Sequence, residues 1–240
     1  MNHPLGFSRN VVKRNYALLT PAGFVPSHVP GWSNVVFNVL ISPALGARFS
    51  QHLVTFAKAG KGAGNTGRQQ FFAFVVSGSV TLNKKPLDAG SFAWLPPRSE
   101  FTISGTDARL LLFEKPYEPL AGTDVPTALI GRESKIEGQP FLGDPDARLQ
   151  TLLPDTPAFD MAMNIFTYQP GATLPFVETH IMEHGLLMLA GQGVYRLDSD
   201  WHPVQEGDVI WIGPYCPQWF VCSGKVPARY IYYKDVNRHP

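Results

Sequence analysis

The chain carries one pattern of strands and turns twice. When Gly78 is laid on Gly191 and Gly90 on Gly207, both halves read as an apolar run, a glycine turn and a second run. Each continues with a turn built on a carboxylate and a glycine, an apolar strand and a proline-containing turn. The first half spells FFAFVVSGSVTL (71–82) and KKPLDAGSFAWLPPRSEFTI (84–103); the second spells LLMLAGQGVYRL (186–197) and WHPVQEGDVIWIGPYCPQWFV (201–221). Self-similarity of this kind fixes an architecture before any single residue is read. Short runs of Val, Ile, Leu and Phe punctuated by 22 glycines and 22 prolines are strand and turn signals, so the expectation is an all-β fold with little helix. At 240 residues the chain can form two domains. The repeat predicts an N-terminal barrel over 1–120 and a C-terminal barrel over 159–240. The proline-scattered stretch 121–158 is expected to link them, and the opening residues to supply early strands, some packing on the second barrel.

The chemistry concentrates in GATLPFVETHIMEHGLLMLAG (171–191), where Glu178, His180 and His184 fall within seven residues. A carboxylate and two imidazoles so close together read as a metal site. Glu178 and His180 are two apart, which on a β-strand places them on one face. The competing reading is a strand with a few satisfied polar side chains. His3, His28, His52, His202 and His239 have no such neighbours in sequence and are expected on the surface or in loops.

This grammar resembles the cupin family, small antiparallel barrels with two short motifs separated by a hairpin. The family's first motif orders a glycine, His-x-His, a carboxylate and a glycine; here the order is Gly171, Glu178-x-His180, His184 and Gly191, with two ligand types exchanged. In the second motif a glycine precedes the fourth ligand by eleven residues, and from Gly207 that position is Gln218. The resemblance therefore implies the set Glu178, His180, His184 and Gln218. The matching positions of the first half are Asn65, Gly67, Phe71 and Phe101, which make no competent set, so that barrel is expected to be metal-free.

Three longer stretches, NYALLTPAGFV (15–25), VETHIMEHGLLMLAGQGVYRLDSDWHPVQEGD (177–208) and ARYIYYKDVNR (228–238), resemble the (S)-ureidoglycine aminohydrolase family of bicupins nearly end to end. That resemblance implies two tandem antiparallel β-barrels (a double-stranded β-helix or jelly roll), Mn²⁺ in the C-terminal barrel, and hydrolysis of ureidoglycine to ureidoglycolate with release of ammonia in purine catabolism. It also implies substrate contacts from Tyr195, Tyr230 and Lys234, and a homo-oligomer. Two imidazoles, a carboxylate and an amide favour Mn²⁺ or Fe²⁺ over structural zinc. Tyr230 and Lys234 are four apart, hence on one face of a strand, and an inward lysine needs an anion such as a substrate carboxylate. The residues alone leave an exposed edge-strand lysine equally open, and Tyr195 and Tyr230 as core aromatics. Lys234 and Glu178 are the candidates for moving protons. Two alternatives stay open: an Fe²⁺ oxygenase acting on a small acid, and a non-catalytic bicupin that binds one.

The net charge is +1 and no Lys/Arg cluster is present, which argues against nucleic acid as a partner. The opening residues contain no continuous apolar core of a leader, and no run is long enough to span a bilayer, so a cytoplasmic location without membrane association is expected. Cys216 and Cys222, six apart in one strand-like stretch, are expected to stay reduced and structural.

Overall fold

The computed structural model describes residues 8–238, so His3 and His239 lie outside the described residues. Among these the chain is all-β, with helix confined to three-residue 3₁₀ turns at Pro21–Gly23, Pro43–Leu45 and Glu133–Lys135. No helix among the described residues is long and apolar enough to cross a membrane.

Contacts divide the chain into two units. One gathers the described residues of Met1–Phe24, Glu137–Asp155 and Met161–Pro240; the other is Val25–Ile136 with Thr156–Asp160. The division expected at 120 and 158 is therefore corrected on both sides. Tyr16–Leu19 pairs with Val209–Ile212 in the C-terminal unit, a contribution of the kind the opening residues were expected to make. The stretch expected as a linker forms strands of its own: Leu129–Arg132 pairs with Ser91–Leu95, while Gln139–Phe141 and Asp144–Thr151 extend the sheet that contains Met161–Tyr168. Leu129–Arg132 and Gln139–Phe141 are edge strands of four and three residues, too short to stand out between prolines, and Asp144–Thr151 carries only Ala147 and Leu149 as apolar residues besides Pro145. Residues 156–160 belong to the N-terminal unit because they are anchored there. Asp160 is fully buried and accepts from Lys115 Nζ at 2.6 Å and from the Gln70 amide, while Phe159 packs edge-on against Trp94 at 5.0 Å.

The N-terminal unit is a single eight-stranded sheet. Its long strands Ser50–Asn65, Gln69–Leu82 and Glu100–Pro116 shift register at Phe56/Gly60, Val75/Ser77 and Ser77/Ser79. Such bulges bend a long sheet so that one face closes on a core, here Val54, Phe56, Val75, Leu110 and their neighbours. At the positions that match the metal ligands of the other half, Asn65 is bonded to Glu100 and to the Gly67 amide, and Phe71 packs on Phe101 at 5.7 Å.

In the C-terminal unit an eight-stranded sheet, with Ala228–Asp235 flanked by Met161–Tyr168 and His184–Ala190, accompanies a three-stranded sheet of Asp200–Gln205, Gln192–Leu197 and Gln218–Cys222. Their apolar faces share one core containing Tyr168, Leu186, Tyr195, Leu197, Ile210, Phe220 and Tyr230.

The repeat holds at the level of single hydrogen bonds. Gly90 N–H donates to Val75 O and Gly207 N–H to Met188 O, both at 2.9 Å; Ala89 N–H donates to Gly78 O and Glu206 N–H to Gly191 O, both at 3.0 Å. Gly78 and Gly191 have φ of 72° and 73°, the left-handed region where a side chain is strained.

Candidate metal centre

The segment that carries Glu178 and His180 is a loop, which corrects the strand expected there. Pro175 offers no N–H for a ladder. Residues 173–183 instead cling to the strand Gln218–Cys222 through single bridges: Leu174 N–H donates to Phe220 O at 2.9 Å, and Glu178 and Gln218 exchange both backbone bonds at 2.8 and 2.9 Å. Glu178 and Gln218 are thus fixed opposite each other although forty residues separate them in the sequence. Tyr215 N–H, on a turn with φ of 61° at that residue, donates to His180 O at 2.7 Å and holds the loop from the other side. His184 is the first residue of His184–Ala190, paired with Ile212 on one side and Lys234 on the other.

His180 and His184 face each other, with Nε2 atoms 3.3 Å apart. Each Nδ1 lies 3.1 Å from a backbone carbonyl, of Met182 for His180 and of Tyr233 for His184. A carbonyl only accepts, so a neutral ring places its single proton on Nδ1 and leaves Nε2 as a bare lone pair. Two lone pairs aimed at one point repel unless a cation lies between them. Burial disfavours a proton as that cation: it pushes His184 down to about 3, with His180 adding to the effect, and it lowers His180 as well. The Gln218 amide closes the group, its Nε2 at 3.1 Å from His180 Nε2 and its Oε1 accepting from Tyr195 OH at 3.1 Å. Half a turn of the amide exchanges its ends and turns the oxygen toward His180, with Tyr195 still partnered. The donor set fits a divalent metal ion. Among the described residues no three His, Cys, Asp or Glu side chains form an ion-binding group by themselves, so Glu178 lines the site without closing on the two imidazoles.

An open cavity of about 380 Å³ borders this group, lined by Glu178, His180, His184, Asn164, Tyr232 and Lys234 among others. Behind it lies a pocket of about 20 Å³ walled by Glu178, His184, Tyr195, Gln218, Tyr230 and Tyr232, space for a single water.

Residues 164–233 match the family described as a cupin domain. The (S)-ureidoglycine aminohydrolase of Arabidopsis thaliana is 40% identical over 98% of this chain and 80% of its own, and that of Escherichia coli K12 is 38% identical over 96% and 92%. The chain belongs to the (S)-ureidoglycine aminohydrolase family. The Escherichia coli protein Ylba superposes on it with a TM-score of 0.86 at 35% identity, covering 100% of this chain and 99% of that one. An oxalate decarboxylase of Bacillus subtilis, 10% identical with a TM-score of 0.72, covers 93% of this chain and 78% of its own and shares the fold.

The residues that the resemblance to ureidoglycine aminohydrolases singled out are brought together unequally. Lys234 sits on an internal strand paired on both sides, which rules out the exposed edge, and it lines the open cavity. Tyr195 and Tyr230 are fully buried and reach only the inner pocket. Burial raises the Glu178 carboxyl while the Lys234 cation draws it back down; burial raises the Tyr195 and Tyr230 hydroxyls as well. Sequence reasoning missed Tyr232, whose ring meets His184 edge-on at 5.4 Å, and Asn164, its Cα partner across the sheet. The signal for Tyr232 was present, since it lies between Tyr230 and Lys234 on the same strand face. Also missed were two buried carboxylates that hold the loop: Asp235 accepts from Glu183 N–H at 2.6 Å, and Glu183 accepts from Trp211 Nε1 at 3.3 Å.

The cysteines and the other described histidines, expected to have no role in the site, line neither of its two cavities. Cys216 and Cys222 are buried and unbonded to each other, and Cys216, in a turn and not in a strand, has its thiol pushed up to about 11 by burial. His202 meets the Tyr16 hydroxyl at 3.1 Å on the strand Asp200–Gln205, and His28 lies in a loop. His52 is corrected from surface or loop to a strand position with its side chain 13% exposed.

Proposed function

We propose that the C-terminal unit holds Mn²⁺ through Glu178, His180, His184 and Gln218 and that the chain hydrolyses (S)-ureidoglycine to (S)-ureidoglycolate and ammonia. The observation that carries this reading is the converging pair of imidazole lone pairs beside Lys234, in a chain of this family. A bound divalent ion would supply charge that orients and polarises the reacting groups. The net chemistry breaks the bond from the central carbon to the amine nitrogen and forms one to a water oxygen. One proton must reach the amine and one must leave the water. Lys234 Nζ lines the cavity as a donor that pairs with the substrate carboxylate and passes a proton to the departing nitrogen. The Glu178 carboxyl, raised by burial and restrained by Lys234, takes the proton from water. Tyr195 and Tyr230 contact the part of the substrate that reaches the inner pocket, and their buried hydroxyls stay protonated as donors.

The N-terminal unit is proposed to be a metal-free scaffold. A pocket there is walled by Trp32, Phe71, Ala73, Leu95 and Phe101, with no ligating group among its lining residues.

The test is ammonia release from freshly generated ureidoglycine by protein stripped of metal and reloaded separately with Mn²⁺, Fe²⁺ or Zn²⁺, with product chirality followed. Manganese-dependent ammonia and a single ureidoglycolate enantiomer are expected. Oxygen uptake with Fe²⁺ and no ammonia would replace this reading with an oxygenase.

A further inference from the structure

The open cavity is floored by two paired strands, Met161–Tyr168 and Ala228–Asp235, in a register that sets Asn164 opposite Tyr232 and Ala162 opposite Lys234. Alternate residues face the space: Ala162 and Asn164 from one strand, Tyr232 and Lys234 from the other. Ala162 is small, so the position beside Lys234 is left open to a ligand. The floor therefore offers two different recognition groups, a cation at Lys234 and a neutral amide at Asn164. Asn164 is 4% exposed, and a polar side chain this buried is costly unless it is bonded. It stands opposite Tyr232 across the sheet and pairs with that hydroxyl, so with the amide N–H assigned to Tyr232 the carbonyl Oδ1 is the end that meets a donor from the cavity. Two strand positions separate Asn164 from the row of Lys234, about 7 Å along the sheet.

A ureido acid fits that spacing: its carboxylate carbon and terminal nitrogen are four bonds apart, so a molecule held by Lys234 at one end presents an N–H₂ group at the other. We infer that Asn164 is a specificity residue of this site, its Oδ1 accepting from the terminal N–H₂ of the substrate's carbamoyl group while Lys234 holds the carboxylate. This rests on the proposed substrate class and names the side chain that reads it. A site built to bond an N–H₂ group discriminates against an analogue that lacks it, because the buried acceptor is then left unpaired.

The experiment compares two stable ligands by calorimetry on the Mn²⁺-loaded full chain: N-carbamoylglycine, and N-acetylglycine, which puts a methyl group where the terminal N–H₂ stands. The native protein is expected to bind the carbamoyl compound about tenfold tighter, the worth of one hydrogen bond. Asn164→Ala should bring that ratio to about one with N-acetylglycine binding little changed, whereas Asn164→Asp, which keeps an acceptor oxygen in place, should retain the preference. A ratio of one in the native protein, absence of binding by both ligands, or an alanine variant that weakens both equally overturns the inference; the last would leave Asn164 as support for Tyr232. If the ratios behave as stated while ureidoglycine yields no ammonia, carbamoyl recognition stands and the aminohydrolase reading falls.

Discussion

His180 and His184 present Nε2 lone pairs to each other at 3.3 Å while both Nδ1 atoms face backbone carbonyls. That pairing is unfavourable without a cation and would be relieved by one, so metal binding is expected to stabilise the folded unit. Mn²⁺ at a hundred times its dissociation constant should add about 2.7 kcal/mol, read as a rise of several degrees in the melting temperature. In His184→Ala both the shift and the bound metal should vanish. A variant that keeps the full shift would place the ion elsewhere.

Lys234 lines the same cavity but is no part of the donor set. Its removal should separate chemistry from metal binding: Lys234→Ala is expected to retain stoichiometric Mn²⁺ and to lose about 10²- to 10⁴-fold in kcat/KM, the usual worth of a proton-transfer group. Steady-state kinetics together with metal analysis decide it, and full turnover in the variant would remove Lys234 from the mechanism.

The Tyr195 hydroxyl meets the end of the Gln218 amide at 3.1 Å from a fully buried position, and it stays a partner whichever end of the amide faces it. Partners that orient a metal ligand typically carry 10- to 100-fold in metal affinity. Tyr195→Phe should weaken Mn²⁺ by about that factor, while the metal-free protein unfolds within about 1 kcal/mol of the native chain. Competition with a chelator measures the first quantity and urea unfolding the second.

The glycines of the repeat were legible because their backbone admits little else. A Cβ at Gly191 would stand 2.5 Å from Pro227 O and 2.7 Å from Ala228 Cα, and one at Gly78 would stand 2.6 Å from Asp107 O and 2.9 Å from Ala108 Cα. Gly191→Ala should therefore cost more than the ~1 kcal/mol of a simple left-handed strain. An equilibrium unfolding curve matching the native one would show that the turn repacks freely.

What the sequence made readable follows from how local each constraint is. His184, directly after the buried Glu183, and Gln218, eleven after Gly207, sit where motif spacing puts them because short turns set their distances. Glu178 and His180 were read as a strand because period-two reasoning cannot distinguish a ladder from a loop held by the isolated Glu178–Gln218 bridge. Asn164 was invisible since its role depends on pairing with Tyr232, 68 positions away, and nothing in the intervening chain encodes that register. The linker failed for the opposite reason, two of its strands being only three and four residues long and the third, Asp144–Thr151, having too few apolar residues to show a period.

His52 tests the N-terminal unit by pH. Burial pushes its imidazole down to about 4 from an ordinary 6.5, and its Nδ1 is buried with no hydrogen-bond partner among the described residues. The folded unit thus keeps His52 neutral while the unfolded chain takes up a proton below 6.5, so stability is lost as pH falls from 6.5 toward 4. Glu114, with Oε1 3.9 Å from His52 Nε2, is raised by burial and acts oppositely, gaining stability as pH falls to its unfolded value of 4.5. Replacing His52 removes the first effect and leaves the second. Between pH 7 and 4.5 the native chain should lose about 2 to 3 kcal/mol relative to His52→Gln, measured as the difference in urea unfolding free energy at the two pH values. Parallel pH profiles for the two proteins would mean that His52 is protonated in the fold, its charge held by Glu114 as an ion pair.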